Sequence, residues 1–353
     1  MAVYTEVDDD ALAAFLADYD LGGVTAFKGI AEGVENSNYL LQTETGGYIL
    51  TLYEKRVNAA DLPYFLGLMD HLAAQGFPCP VPVHGRDGQA LRRLCNRDAA
   101  IVTFLQGVSV RHPSPEHCRA LGTALARLHL AGDGFKMSRK NDLSVTGWRK
   151  LFDACGKRAD ELLAGDGLKM RRETDMSVAQ WRELLNAGGK SDDDLLSGVR
   201  PELEVELSYL ESAWPQKLPT GVIHADLFPD NVFFLGSEFS GVIDFYFACN
   251  DFFAYDIAVC LNAWCFEADR SFNVTKARNM LSAYRAVRPL SEDELEALPV
   301  LARGAAMRFL LTRLFDWLHR VEGALVRVKD PKEYLYRQRF HRSVTGPSAY
   351  GIV

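Results

Sequence analysis

Gly221-Val-Ile-His224-Ala-Asp226-Leu-Phe-Pro-Asp-Asn231-Val-Phe-Phe-Leu235, followed closely by Gly241-Val-Ile-Asp244-Phe245, is the stretch that decides the fold. The runs Val222-Ile223, Val232 to Leu235 and Val242-Ile243 are short, β-branched or aromatic, and broken by glycine and polar residues. That pattern predicts brief strands on either side of a loop. The polar groups then fall at strand ends and in a turn, where a rigid scaffold can aim them. They comprise a carboxylate (Asp226), an amide five residues on (Asn231) and a second carboxylate (Asp244) on the next apolar run. Phosphoryl transfer at a magnesium nucleotide calls for this set. One carboxylate takes the proton of an attacking hydroxyl, while an amide oxygen and a carboxylate hold the metal against the phosphates. An Asp in a turn is more often a local cap than a base, so the joint pattern, and not His224-Ala-Asp226 alone, carries the argument.

The strand, the loop and the partner strand ending in Ile-Asp-Phe resemble the catalytic and metal loops of the protein-kinase-like fold. His224-Ala225-Asp226 and Asp244-Phe245-Tyr246 stand where protein kinases carry His-Arg-Asp and Asp-Phe-Gly. The variant is similar to the aminoglycoside phosphotransferase and choline kinase branch, which acts on small hydroxylated molecules. Asp256, in Tyr255-Asp-Ile-Ala258, resembles that branch's later Asp, which braces the catalytic loop from the start of a helix; His224 is assigned a supporting role beside it. The resemblance implies an α+β, two-lobe fold with a small antiparallel-sheet N-lobe and a larger, mainly helical C-lobe.

Composition agrees with two lobes and a sizeable core in 353 residues. The formal net charge is -8 and no basic stripe stands out, which disfavours nucleic-acid binding. The seven cysteines are scattered without a Cys-x-x-Cys pair, and Cys260 and Cys265 lie in an apolar stretch as buried thiols. Met1 to Asp10 has neither a basic start nor an apolar run, and no apolar segment is long enough to span a bilayer. A reducing, cytoplasmic setting is the expectation.

Along the chain, residues 8–19 read as an amphipathic helix opened by Asp8 to Asp10. Phe27 to Leu41 and Tyr48 to Tyr53 read as antiparallel strands with glycine-bearing turns. Leu62 to Ala74 reads as a helix stopped by Gly76 and Pro78. Ala99 to Gly107 reads as a further strand, at whose end the lobes join; the boundary is set at 1–106 and 107–353. The fold would then bring adenine against backbone groups near Phe104 and Leu105. Helices dominate beyond, at Cys118 to Leu130 (with His129 as a packing residue) and near 272–286, 291–303 and 304–322. Residues 132–164 are repeated at an offset of 33 in 165–197, a tandem duplication within the helical lobe. Two copies fall short of a stable array. Among the differences between the copies, those where polar recognition would matter are Asn141 and Gly147, which become Thr174 and Gln180, so the first is expected to keep the original role.

Gly29 to Asn38 is a glycine-bearing turn suited to covering phosphates, through Gly33 and the side chains of Ser37 and Asn38. The phosphate-binding strand lysine of kinase-like folds is missing. Thr51 occupies its place, no Glu lies between Leu62 and Ala74, and Lys28 and Lys55 are the nearby cations, with Lys55 assigned to the nucleotide.

A closer resemblance is carried by Gly33-Val-Glu-Asn-Ser-Asn-Tyr39, the Gly221–Leu235 stretch, Ile243 to Asp251, Tyr255 to Trp264 and Arg308 to Trp317. These look like bacterial homoserine kinases of the aminoglycoside-phosphotransferase-like type, over nearly all the chain except the second repeat, which such kinases generally lack. The resemblance implies ATP- and Mg2+-dependent phosphorylation of the homoserine side-chain hydroxyl, a step toward threonine. Asp226 would take the proton, and Asn231 and Asp244 would hold the metal. Tyr246, Asn250 and Arg313 are assigned to the acceptor, and Arg308 reads as a packing arginine. Another small hydroxylated acceptor, such as an amino alcohol or an aminoglycoside, remains open, as does a catalytically silent binding module.

Overall fold

Alternating burial builds the first sheet. In β2 (Ser37–Thr43) the residues Ser37, Tyr39, Leu41 and Thr43 point inward while Asn38, Leu40 and Gln42 are half-buried, the two-residue period of a strand with one face on a core. The computed structural model describes residues 4–30, 36–54, 58–164, 199–318 and 329–352. Within them β2 pairs with β1 (Val24–Gly29) and β3 (Gly46–Tyr53), and β3 with β5 (Arg97–Thr103). β4 (Arg92–Leu94) completes an antiparallel sheet of order β1-β2-β3-β5-β4. Leu41, Leu50, Leu52 and Ile101 pack under α1 (Asp9–Leu16) through Leu12 and Phe15. α1 starts on the Asp8 cap, whose carboxylate accepts from Ala11 N at 2.7 Å, and ends before residue 19. α2 spans Leu62–Ala74 as its periodicity predicts, and Gly76 (φ +76°) lets the chain turn beyond it.

The strand expected over 99–107 stops at Thr103. Phe104 N still donates to Gly47 O (3.0 Å), after which the chain crosses to the second lobe, where Ser240 Oγ donates to Gln106 O at 2.5 Å. β6 (Val108–Ser109) then joins β8 (Val232–Leu235) and β9 (Glu238–Val242), while β7 (Thr220–Ile223) pairs with β10 (Cys249–Phe252). These two small sheets sit among helices: α3 (Pro115–Ala131), α4 (Val145–Ala164), α5 (Val199–Ala213), α6 (Phe253–Trp264), α7 (Val274–Val287), α8 (Glu292–Leu318) and α9 (Lys332–Ser343). The fold class is the one expected, a small antiparallel-sheet lobe and a larger helical one. No helix among the described residues is long and apolar enough to cross a membrane.

One helix boundary differs from expectation. The helices predicted at 291–303 and 304–322 are a single continuous α8 to Leu318. Gly304 is not a breaker there. A Cβ at that position would collide with the indole rings of Trp214 and Trp148, so glycine is the residue that lets α8 approach α4 and α5.

The first copy of the duplication is built into this framework. Trp148 is fully buried, edge-on to Trp214 at 5.0 Å, and its indole N–H donates to Leu143 O at 2.6 Å. Asn141 Nδ2 donates to Asp251 Oδ2 at 2.7 Å. A side chain at Gly147 would strike the Asp142 carbonyl. Asn141 and Gly147, two of the positions at which the second copy differs, therefore have structural work in the first. The second copy lies outside the described residues.

Candidate active site

The catalytic loop is shaped by one buried carboxylate. Asp256, in the first turn of α6, accepts from His224 N (2.8 Å, Oδ2) and Ala225 N (2.9 Å, Oδ1). Ala225 has φ +63°, a left-handed conformation unfavourable for an alanine. The two amide bonds hold it on one side, and on the other Arg308 Nη1 donates to its carbonyl oxygen. Burial alone would raise the Asp256 carboxyl, but the hydrogen bonds it accepts from the His129 ring and from the His224 amide bring it below the usual carboxylate range. Behind it runs a buried chain: His129 Nε2 to Asp256 Oδ2 (3.2 Å), Tyr284 OH to His129 Nδ1 (2.7 Å), Arg288 Nη1 to Tyr284 OH (3.3 Å) and to Glu294 Oε1 (2.9 Å). Desolvation lowers the His129 pKa, so its imidazole is neutral, donating from Nε2 and accepting at Nδ1.

His224 ties the catalytic loop to the strand that carries Asp244. Its Nε2 donates to Ile243 O (3.0 Å) and its Nδ1 accepts from Asp226 N (3.3 Å). Burial keeps this ring neutral too. A second tie, Ile243 N to Asn231 O at 3.0 Å, fixes Asn231 against the same strand. Asp226, Asn231 and Asp244, far apart in sequence terms only for the last, thus share one rigid corner. Asn231 Nδ2 donates to Asp226 O (2.8 Å) and lies 3.3 Å from Asp226 Oδ2, which leaves the amide oxygen as the atom for a cation. Asp244 has φ +66° and is exposed at the start of the turn Phe245–Phe247.

The Asp226 carboxylate has two sides. Oδ2 faces Asn231, and Oδ1 faces Arg308 Nη2 at 3.9 Å. Its pKa is raised, mainly by desolvation, against the opposing charges of Arg308 and Lys329. A raised, partly solvent-reaching carboxylate suits proton acceptance from a hydroxyl.

On the N-lobe side the residues divide. Ser37 is fully buried: its Oγ accepts from Tyr4 N (2.8 Å) and Thr5 N (3.1 Å) and donates to Glu54 Oε1 (2.8 Å). It thus anchors the N-terminal segment, on the face away from Asn38. Asn38 pairs directly across from Thr51 and accepts its hydroxyl at 2.8 Å. Two residues on, Tyr53 meets Tyr246 of the turn after Asp244, hydroxyl to hydroxyl at 3.3 Å, and burial pushes Tyr53 up to about 12. Hydroxyls therefore fill the place of a strand lysine. Asp61, the acid at the start of α2, pairs instead with Arg139 of the first repeat at 2.8 Å, with Arg139 also stacked over Phe65. Gly33 and Lys55 lie outside the described residues; Lys28 is exposed on β1. Phe104 is exposed at the lobe crossing and Leu105 packs on Gly241.

Of the acceptor residues, Tyr246 lies in the cleft, edge-on to Phe65 at 5.7 Å. Asn250 accepts from Arg139 N (3.0 Å) and Tyr64 OH (3.4 Å), joining β10 to the first repeat and α2. Arg313 donates to Glu333 Oε2 (2.5 Å) and Asp330 O (3.1 Å) and covers Tyr334. Arg308, read as packing from sequence, is the arginine that faces the Asp226 carboxylate. No local signal marks it, since its partners Ala225 and Asp226 lie on a distant loop.

Residues 26–290 match the phosphotransferase enzyme family. Over 352 residues the chain is 59% identical to a homoserine kinase from Rhodospirillum rubrum, covering 100% of this chain and 99% of the relative. A homoserine kinase from Paramagnetospirillum magneticum is 58% identical over 358 residues, with 100% of both chains covered. The fold is similar to that of a spectinomycin phosphotransferase solved with ADP and spectinomycin, at TM-score 0.65 and 13% identity over 95% of each chain. The chain belongs to the phosphotransferase enzyme family, and within it to the homoserine kinases.

Proposed function

We propose that the chain transfers the γ-phosphoryl group of ATP to the side-chain hydroxyl of L-homoserine, giving O-phospho-L-homoserine, with Asp226 as the base and Asn231 and Asp244 as the ligands of a magnesium ion. The observation that carries the chemistry is the carboxylate of Asp226, fixed between Asn231 on one side and Arg308 on the other. Full-length identity of more than half to homoserine kinases supports the acceptor.

Two hard oxygen donors, one amide and one carboxylate, fit magnesium, which keeps several waters and phosphate oxygens in its shell. Bound there, the ion neutralises charge on the phosphates. The chain's own part is positional. His224 and Asp256 hold the loop so that Asp226 meets the attacking hydroxyl in line with the transferred group. Asp226 takes the proton as the new O–P bond forms, and ADP leaves with the bond electrons. Asn38 and Thr51 offer polar groups on the sheet face toward the cleft, and the adenine edge is assigned to backbone groups near Phe104 and Leu105, where the chain crosses between the lobes.

The test is turnover of ATP with L-homoserine, L-serine, choline and an aminoglycoside, followed by phosphorus NMR of the product. A phosphate ester formed with homoserine at far the highest kcat/KM is expected. Equal turnover of serine or choline would move the assignment to another acceptor, and none with any would remove it.

A further inference from the structure

Among the described residues, the largely buried arginines of the C-lobe are each matched by a close carboxylate, with one exception. Arg303 meets Glu206 with two bonds of 2.7 Å, Arg288 meets Glu294 at 2.9 Å, and Arg313 meets Glu333. Arg308 is the most deeply buried of them, 1% exposed. It lies between the rings of Phe309 (4.5 Å) and Phe247 (5.4 Å). Its Nη1 is bonded to a backbone carbonyl, and its Nε has no hydrogen-bond partner. Among the described residues the one carboxylate in ion-pair range is Asp226, at 3.9 Å, too far for a hydrogen bond. A buried cation left short of a partner is costly. Retaining one beside the catalytic base points to an anion that arrives with the substrate.

The side of Asp226 on which it lies says which anion. Phosphates belong with the metal ligand Asn231, which faces Oδ2; Arg308 faces Oδ1, the other edge of the carboxylate. The acceptor enters from there. Homoserine carries its carboxylate three carbons from its hydroxyl, a span that lets one end meet Asp226 and the other Arg308 Nη2. The remaining cations fit less well. Arg313 is occupied by Glu333 and Asp330, and the Lys329 ammonium, 60% exposed, lies 3.5 Å from Asp230.

We propose that Arg308 is the specificity-determining residue for the acceptor: its Nη2 binds the α-carboxylate of the amino-acid substrate and so selects an amino acid over the corresponding amino alcohol. The assignment rests on the homoserine reading above. Because Arg308 also holds Ala225, its removal slows every acceptor. The diagnostic quantity is therefore a ratio, kcat/KM for L-homoserine over that for 3-aminopropan-1-ol, which is homoserine without its carboxylate.

Arg308→Gln keeps a donor for the Ala225 carbonyl and removes the charge. It is expected to reduce the ratio by about 100-fold, chiefly through the KM for homoserine, with the KM for ATP nearly constant. Arg308→Lys restores the charge without the guanidinium fork and is expected to recover part of the ratio. An unchanged ratio in Arg308→Gln, with both acceptors slowed alike, would make Arg308 a brace of the loop and overturn the proposal. If Arg308→Gln does not fold, Arg308→Met takes its place as the charge-removing variant: an unchanged ratio there overturns the proposal. Failure of the homoserine reading shows separately, as a wild-type enzyme that does not prefer homoserine over 3-aminopropan-1-ol.

Discussion

The catalytic corner and the strands facing the nucleotide are held in opposite ways. Around Asp226, nearly every backbone group has a named side-chain partner: Asp256 on the amides of His224 and Ala225, Arg308 on the Ala225 carbonyl, His224 on Ile243, Trp264 Nε1 on Leu227 O at 2.7 Å. On the N-lobe side, Asn38, Thr51 and Tyr53 meet one another and Tyr246 of the second lobe through neutral hydroxyls and an amide, without an ion pair between them. Chemistry that depends on placing one proton is built from over-determined geometry. Contacts to a phosphate tail that mainly supply binding need no such cage, and backbone groups and the metal can share that task.

If this contrast is sound, substitutions in the corner act steeply and those on the sheet act mildly. Asp244→Ala removes a proposed metal ligand and is expected to lower kcat by about three orders of magnitude or more while the melting temperature stays near wild type, since the residue is exposed; steady-state kinetics over a magnesium series checks it. Asp256→Ala leaves two buried amides and His129 unpaired. A loss of roughly 3–5 kcal/mol of stability is expected in urea unfolding, against a smaller one for Asp256→Asn. Ser37→Ala is the mild case: about 1–2 kcal/mol of stability from the freed Tyr4 and Thr5 amides, with the KM for ATP unaltered because Ser37 faces away from the cleft. A large rise in that KM would erase the distinction between the two faces of β2.

A pH dependence follows from Asp226. Desolvation raises its pKa, so the base is ionised only above a pH higher than an ordinary aspartate needs, and kcat/KM should fall on the acid side through that raised value. Arg308→Gln removes a charge that opposes the shift, so the acid limb should move to still higher pH. For stability the sign is the reverse of the usual carboxylate case. The folded pKa lies above the unfolded one, so ionised Asp226 costs folding free energy at neutral pH, and the cost disappears as pH falls through the folded value. Thermal melts should therefore show Asp226→Asn more stable than wild type at neutral pH, with the gap closing in acid.

The corner was legible because its parts are close in sequence. Asp226 and Asn231 share one loop, Asp244 lies two residues past the adjoining strand, and Asp256 is in the first turn of the next helix. The N-lobe was legible as strands, but not in the direction of each side chain: shifting the phase of β2 by one residue exchanges Ser37 and Asn38 between core and cleft. Arg308 had no local pattern to reveal it, because what distinguishes it from Arg313 is a partner on a distant loop. The break expected between residues 303 and 304 is absent for a related reason: the tryptophans that require Gly304 come from elsewhere in the chain, Trp148 on α4 and Trp214 just beyond α5.

The central claim is that Asp226 is the base and not merely part of the loop's architecture. Single-turnover transfer from ATP to L-homoserine by Asp226→Asn, with nucleotide binding measured in parallel, tests it directly. The account predicts a folded protein with nucleotide affinity near wild type and transfer slowed by about 10²–10⁴-fold, the range for loss of a general base; transfer within a few-fold of wild type would contradict it.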